Sequence, residues 1–492
     1  MSNLSELLPV GGGQNTADYV AKGTIGAGVA VTVNFDGTIS AVSENNAAIN
    51  RDIAYPDMAV NGFTDNALAM VSCYCPDHNA VLLAYRNTSQ GNRLTIVVGS
   101  ISGKKIVWGD QQTGSNSCIP MSIVWDDSQN RGIVAYRNSS NYPEIRAFTV
   151  SGNTVASIGN AVVVNSASSY TIPMTYYRNE GFTAIFYDVP GGTSPVGRVI
   201  SGSGTTLSVS TSYQAPSVGG SYMGNASVTY KDAPPYNDPM VLAWNIDQAT
   251  GVAVTVTMPS STQLSYGTAS TITSAFNAYE NVIVLADAAR DKYMYLVRST
   301  NGGGTFGAVG SISAGNVTFG AATKISPSVL QFQTADFNYV NGNALLIGDN
   351  FGLGNKPSGY AFTIDGNEIK TSNVSPALAS FRSQGISVCF VPSINCFAVF
   401  YVGYTGNTKG YMNIVETTKS SAIDAIGVSD GAISDGASGG INLLGGISGG
   451  HSGLTVGSRY YVQDDGTLGN NVTESYIGTA ISTTDINLVN SI

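Results

Sequence analysis

Charge is what this sequence has least of. Only 11% of its 492 residues are Asp, Glu, Lys or Arg, against roughly a quarter in an ordinary globular chain. The 22 basic residues are thinly scattered and the net charge is −10. A nucleic-acid partner needs clustered Lys and Arg to displace counterions, so none is expected. No apolar run comes near the roughly 18 residues of a membrane-spanning helix, which argues against membrane insertion. The opening stretch MSNLSELLPVGGG has neither a basic n-region nor an apolar h-region, so no signal peptide is expected.

Histidine and cysteine are nearly as scarce. His78 sits in a turn-like PDHN and His451 in the Gly-rich GGHSGL. Neither has a Ser or Cys nucleophile in a recognisable elbow beside it, so no catalytic triad is expected. Five cysteines make an odd count for a disulfide framework. Cys73-x-Cys75 puts two thiols on one face of a strand, and no CxxC metal spacing occurs, which favours inert thiols made in a reducing cytosol. There is no GxxxxGK[ST] loop and no dinucleotide fingerprint, so no cofactor is expected.

What the chain has in excess is glycine, 58 residues, together with 26 tyrosines. With 43% hydrophobic residues the composition describes short strands and tight polar turns rather than disorder. The stretch VLLAYRN at Val81–Asn87 returns as GIVAYRN at Gly132–Asn138. Aligning on it yields seven cores: Leu82–Asn87, Ile133–Asn138, Thr183–Asp188, Val241–Ile246, Met294–Ser299, Leu345–Asn350 and Phe397–Val402. Their starts are spaced by 51, 50, 58, 53, 51 and 52 residues, and a fixed period of this size signals a repeat architecture.

Each unit reads as an apolar strand, a polar turn, the LLAYRN-type strand, a Gly/Asn-rich loop, an alternating third strand and a more polar fourth. Four antiparallel strands per period is the plan of a β-propeller. The expectation is an all-β chain with a seven-bladed β-propeller over residues 51–420. An N-terminal β-hairpin segment, 1–50, and a C-terminal Gly-rich β module, 421–492, flank it. Within the propeller, Ala84 and Ala135 should be buried between adjacent sheets.

The two flanks resemble each other. GVAVTVNFDGTI at Gly28–Ile39 aligns without gaps on GSRYYVQDDGTL at Gly457–Leu468. Each reads as a hairpin turning at Asp36-Gly37 or Asp465-Gly466. These turns are expected to serve attachment or oligomerisation, because such small modules gain a core by packing on copies of themselves or on a host surface.

Carboxylates and loops supply the remaining candidates. Ser299–Phe306 (STNGGGTF) looks like a degraded Asp-box of sialidase blades, with Asn301 in place of the acid and Phe306 in place of Trp. That box is a folding element, so it supplies no mechanism. Arg86, Arg137, Arg178 and Arg298 fall in separate repeats, and no nucleophile pair can be assigned to them. Asp126-Asp127 and Asp464-Asp465 could ligate calcium, but solvated turn carboxylates are the expected reading, and no metal site is expected. The loops after the second strands project to one face of the ring. Arg86, Asn87, Arg137 and Asn138 stand at the bases of two of them as candidate ligand-binding residues, unless they merely close the hairpins. Tyrosine, with a stacking face and a polar tip, suits a recognition surface, although strand propensity alone accounts for most of the excess.

The stretch SGLTVGSRYYVQDDGTLGNNVTESYIGTAIS (Ser452–Ser482) resembles a module at the ends of tail-fibre and other structural proteins of marine bacteriophages, including cyanophages. VAKGTIGAGVAVTVNFDGTISAV (Val20–Val42) is similar to segments of the same class. The resemblance covers about a fifth of the chain. It implies a virion location, after assembly in the host cytoplasm, and attachment to other virion structural proteins. The expected function is thus a non-enzymatic virion structural protein, a homo-oligomer whose propeller meets a host cell-surface glycan or protein. The alternatives are an architectural head decoration, horn or adaptor, and a glycan-cleaving tailspike. A pair of glutamates along one central channel would mark the last.

Overall fold

The structure is a computed structural model. It describes residues 15–33, 37–42, 47–50, 67–103, 105–231, 238–247, 250–272, 278–299, 303–326, 328–371, 377–404, 409–419, 425–463, 466–470 and 476–489. The fold is all-β. Among the described residues the helical turns are short 3-10 segments such as Phe351–Leu353 and Pro392–Ile394, and no helix is long and apolar enough to cross a membrane. The chain divides into two compact units, one over Ile49–Thr417 and one made of both chain ends, Met1–Ala48 and Thr418–Ile492.

The Ile49–Thr417 unit is a succession of antiparallel meanders. Its first sheet runs Ala67–Cys75, Ala80–Asn87, Arg93–Ser102 and then Lys105–Trp108. The long strand Gln112–Asp126 begins on the edge of that sheet and continues as the first strand of the next, so the two meanders register as one nine-stranded sheet. Five further sheets of four or five strands follow, opened by Met174–Tyr177, Met223–Thr229, Ala278–Asp287, Leu330–Asn338 and Ser383–Val391. The last takes its outermost strand from Ala47–Asn50, a stretch the sequence reading assigned to the N-terminal segment. Each repeat core from the sequence lies on, or within one residue of, the second strand of its meander.

Alternation along these strands sends apolar side chains to both faces, and each face packs on a neighbouring meander. Val134, Tyr136 and Phe148 share a cluster with Leu82, Ala84 and Ile96 of the preceding meander. Ile133, Ala135 and Ala147 share another with Ile185 and Tyr187 of the following one. The same holds around the unit, and a final cluster joins Ala398 and Phe400 to Leu83 and Tyr85. The first strands touch in chain order, and Ser383–Val391 in turn lies against Ala67–Cys75. Ala84 and Ala135 are both fully buried, where a larger side chain would part the sheets.

The fourth strand is usually not one strand. In the meander that follows Gln112–Asp126 it is split into Thr154–Ile158 and Val162–Val163, both paired to Pro143–Ser151. The break falls at Gly159, whose N–H still donates to Ala147 O at 2.8 Å. Glycine is required there by close approach: a Cβ on Gly159 would lie 2.1 Å from Thr205 O of the next meander. Gly109 is equivalent, with Asn153 O 1.9 Å from its would-be Cβ. The glycine excess is thus partly a packing device at the rim.

The other unit is built jointly by the chain ends. Thr16–Val20, Ala30–Val33 and Ile39–Ala41 from the N-terminal side interleave with Gly427–Ser429 and Ser438–Leu443 in one five-stranded sheet. A second sheet holds Ile447–Ser448, Arg459–Val462, Leu468–Gly469, Tyr476–Ala480 and Ile486–Leu488. Ala30, Val42 and Val428 share a buried cluster with Tyr460, Ile477 and Ile486. The two flanks that read separately in the sequence supply one core between them.

Candidate functional site

The hairpin loops after the second strands carry the residues singled out in the sequence. Asn87 is fully buried and accepts from Gln90 N at 3.1 Å. Asn138 Oδ1 accepts from Ser140 N at 2.9 Å and Tyr142 N at 3.0 Å, and its amide donates to Glu144 Oε1 at 2.6 Å. Both asparagines therefore close their hairpins. Arg86 Nε donates to Asn92 Oδ1 at 3.0 Å, while the Arg137 guanidinium lies 5.6 Å from the ring centre of Tyr170. Tyr170 is 68% exposed on that face, because Ser169 N donates to Asn141 O of the hairpin. A second pair of the kind occurs where Arg382 stacks 3.8 Å over Tyr404, the residue that follows the strand Cys396–Gly403. Arg86 also lies near Arg146 and Glu144 around Cys118, whose thiol burial pushes up to about 12 against the pull of the two guanidiniums.

The remaining sequence candidates have structural partners. Asp126 is buried, with Arg131 Nε 2.9 Å from its Oδ2, and it is not the solvated turn carboxylate the sequence suggested. Arg131, itself fully buried, reaches on to Gly204 O at 3.1 Å. Asp127 pairs with Arg178 at 2.7 Å. No group of three or more His, Cys, Asp or Glu able to hold a metal occurs among the described residues. Arg298 is buried; Asn301 lies outside the described residues. His78 Nε2 is 3.2 Å from Asn130 Oδ1 and packs edge-on to Trp125, linking two turns. His451 Nε2 lies 2.9 Å from Ser448 Oγ, but that serine is fully buried. Asp36, Asp464 and Asp465 lie outside the described residues. Gly37 and Gly466 have φ of +82° and +80°, as a tight turn requires, and Gly466 O accepts from Ala30 N at 2.9 Å. That bond ties the C-terminal hairpin to the N-terminal one.

Ten of the 26 tyrosines are buried among the described residues. Tyr85, Tyr136, Tyr187, Tyr293, Tyr295 and Tyr360 are among the largest fully buried side chains. The tyrosine of the repeated motif reaches a third-strand or edge partner: Tyr85 donates to Gln111 Oε1 at 2.5 Å, Tyr136 accepts from Arg146 Nε at 3.0 Å, and Tyr187 accepts from Arg198 Nε at 3.2 Å.

A site the sequence reading did not anticipate lies between the first strands. They enclose a cavity of about 550 Å³ lined from every meander, by residues such as Ser72, Ser122, Met174, Ser227, Val284, Asp336 and Ser387. A smaller one of about 310 Å³ shares Ser122, Met174, Ser227 and Thr334 with it and continues toward Thr171, Asn225 and Gln333. Hydroxyls stitch neighbouring first strands together here. Ser72 and Ser387 share a hydrogen bond at 2.7 Å, Ser122 Oγ accepts from Met174 N at 3.2 Å, and Ser227 Oγ accepts from Val284 N at 3.1 Å. The described residues lining the two cavities include one carboxylate, Asp336, and no glutamate. Two-carboxylate glycoside hydrolysis needs a pair. The signal was a serine midway along four first strands, in MVSCY, PMSIV, NASVT and GISVC.

No protein-family model matches the chain, and no curated protein matches it. Among solved structures it is similar to the BP39L lectin from Burkholderia pseudomallei, at 10% identity and a TM-score of 0.53, over 72% of this chain and 99% of that one. It is also similar to AofleA from Arthrobotrys oligospora, at 11% identity and a TM-score of 0.42, over 70% of this chain and 93% of that one. At such identity the first likeness speaks to fold. Together with the repeated meanders it makes this an all-β repeat protein of β-propeller type.

Proposed function

We propose that the Ile49–Thr417 unit is a seven-bladed β-propeller and that the protein is a non-enzymatic recognition subunit of a virion surface. The propeller meets a host cell-surface glycan or protein, and the unit built from the chain ends joins it to other virion subunits and to further copies. The observation that carries this reading is the cyclic order of the seven first strands, with the second-to-third-strand loops therefore on one face of a rigid support. A scaffold of this kind is how binding loops are commonly held. The Arg137–Tyr170 and Arg382–Tyr404 pairs lie on that face, with Tyr170 exposed and the other three half-buried, and they suit the apolar face and hydroxyls of a sugar. The fold likeness to a lectin supports a carbohydrate partner, and the resemblance of the flanks to phage modules supports the virion setting.

The test is a virion carrying Arg86→Ala and Arg137→Ala. The reading requires normal assembly and adsorption to host cells reduced at least tenfold. Adsorption at the parental rate would leave the architectural alternative, a decoration or adaptor, in its place.

A further inference from the structure

We propose that the cavity enclosed by the first strands is a binding site for one neutral hexopyranose unit, distinct from the hairpin face and independent of the virion reading. Its sugar hydroxyls are met by Asp336, Ser122 and Ser227, and its C–H face by the rings of Tyr74, Tyr230 and Tyr339.

The argument begins with Asp336. Its Oδ1 accepts from Phe337 N at 2.8 Å and its Oδ2 from Phe390 N at 2.7 Å. The carboxylate is thus fixed by main-chain donors of two neighbouring strands. No cation pairs with it among the described residues, and Arg178, which lines the same cavity, is held by Asp127. Part of the Asp336 surface stays accessible, but only deep among protein atoms, so desolvation pushes its carboxyl up to about 6. A buried carboxylate without a cation costs stability, and a carboxylate anchored on two sides yet open to a lumen is arranged to accept further hydrogen bonds.

The hydroxyls complement it. Ser122 and Ser227 each accept one main-chain N–H and keep an O–H proton with no acceptor among the described residues. A pyranose hydroxyl both donates and accepts, so it answers a carboxylate acceptor and a serine donor at once. An anionic ligand would face Asp336 with like charge. The cavity, about 550 Å³, falls within the range of roughly 300–1,000 Å³ typical of small-molecule sites. It is lined as well by the turn residues Pro76, Ala288, Tyr339 and Pro392, so it reaches the face opposite the second-to-third-strand hairpins. Tyr339, 59% exposed and edge-on to Phe390 at 5.1 Å, marks that mouth.

The experiment titrates the full chain with the methyl pyranosides of glucose, galactose and mannose, and with N-acetylneuraminic acid, by calorimetry and ligand-observed NMR. Saturable binding of at least one neutral pyranoside is expected, weakened at least tenfold by Asp336→Asn and by Tyr339→Ala. Arg86→Ala with Arg137→Ala should leave it unchanged. Tyr339 is exposed, so its variant tests the site even if Asp336→Asn fails to fold. Absence of saturable binding at millimolar sugar, preference for the anionic sugar, or binding lost through Arg86 and Arg137 but not through Asp336 and Tyr339 would each overturn the proposal. The last outcome would leave the hairpin-face reading standing, and the expected outcome does not depend on it.

Discussion

Removing the Arg131 guanidinium should expose how adjacent meanders are locked together. Arg131 and Asp126 are an ion pair at 2.9 Å with both side chains about 2% exposed. Arg131 Nη1 also donates to Gly204 O at 3.1 Å, so it fastens the first-to-second-strand turn of one meander to the outer turn of the next. In Arg131→Ala, Asp126 Oδ1 keeps its bonds from Ser128 Oγ at 2.7 Å and Gln129 N at 3.2 Å, but Oδ2 is left buried without its cation. Breaking a buried pair on one side costs about 3–5 kcal/mol. An unfolding entropy of about 2.1 cal/mol/K per residue, taken over the 369 residues from Ile49 to Thr417, is about 0.8 kcal/mol/K. The Tm should therefore fall by about 4–6 °C. The double variant Asp126→Leu, Arg131→Met removes both charges and fills the space, and should recover at least half of that loss. Calorimetry on the three proteins decides it. A single variant within about 1 °C of the parent, or a double variant below the single, would refute this account of the pair.

The period was legible because each repeat core is the strand covered on both faces, where packing tolerates few residue types. Ala84 and Tyr85 recur as Ala135 and Tyr136 since a small residue sets the spacing of two sheets while the tyrosine hydroxyl reaches a third-strand or edge partner. The rim was half legible. Gly109 and Gly159 stand in plain view as WGD and IGN, but their cause is the backbone of the next meander, which no single repeat contains. The joint unit was hidden for a related reason: the Ala30 to Gly466 bond links residues 436 positions apart, and only the similarity of the two hairpins hinted at a shared core. Asn87 and Asn138 read as hairpin closers first and as ligand contacts second, and the distinction lay in side-chain direction. The cavity residues were the least legible. Asp336 sits in FQTADF, an ordinary apolar strand pattern, and becomes unusual only when strands from seven distant segments surround it.

Three further outcomes test the packing and electrostatics. Ala135→Leu should overpack the cluster it shares with Ile185 and Tyr187 and cost about 1–3 kcal/mol by denaturant midpoint; an unchanged midpoint would mean that this face is not a tight contact. Gly159→Ala forces a Cβ against Thr205 O and should lower the Tm by more than Gly152→Ala, whose site has open space but a φ of +59°; the reverse order would remove close approach as the reason for that glycine. The last concerns pH. Burial lowers the His451 value below 6.5, against a smaller upward pull from Asp485. The unfolded chain then binds the proton more readily than the folded one, so His451 contributes stability that is complete above about pH 6.5 and is lost as pH falls through the folded value. Asp336 and Asp349, both raised to about 6 by burial, act in the opposite direction over a neighbouring window, so the parent profile alone is a sum. The difference between parent and His451→Gln isolates the histidine, because Gln holds a polar group toward Ser448 but does not titrate. Between pH 7.5 and 5.5 the parent should lose stability relative to the variant, read as hydrogen exchange of the strand Ile486–Leu488. Parallel profiles for the two proteins would show that His451 is as free to protonate in the folded chain as in the unfolded one.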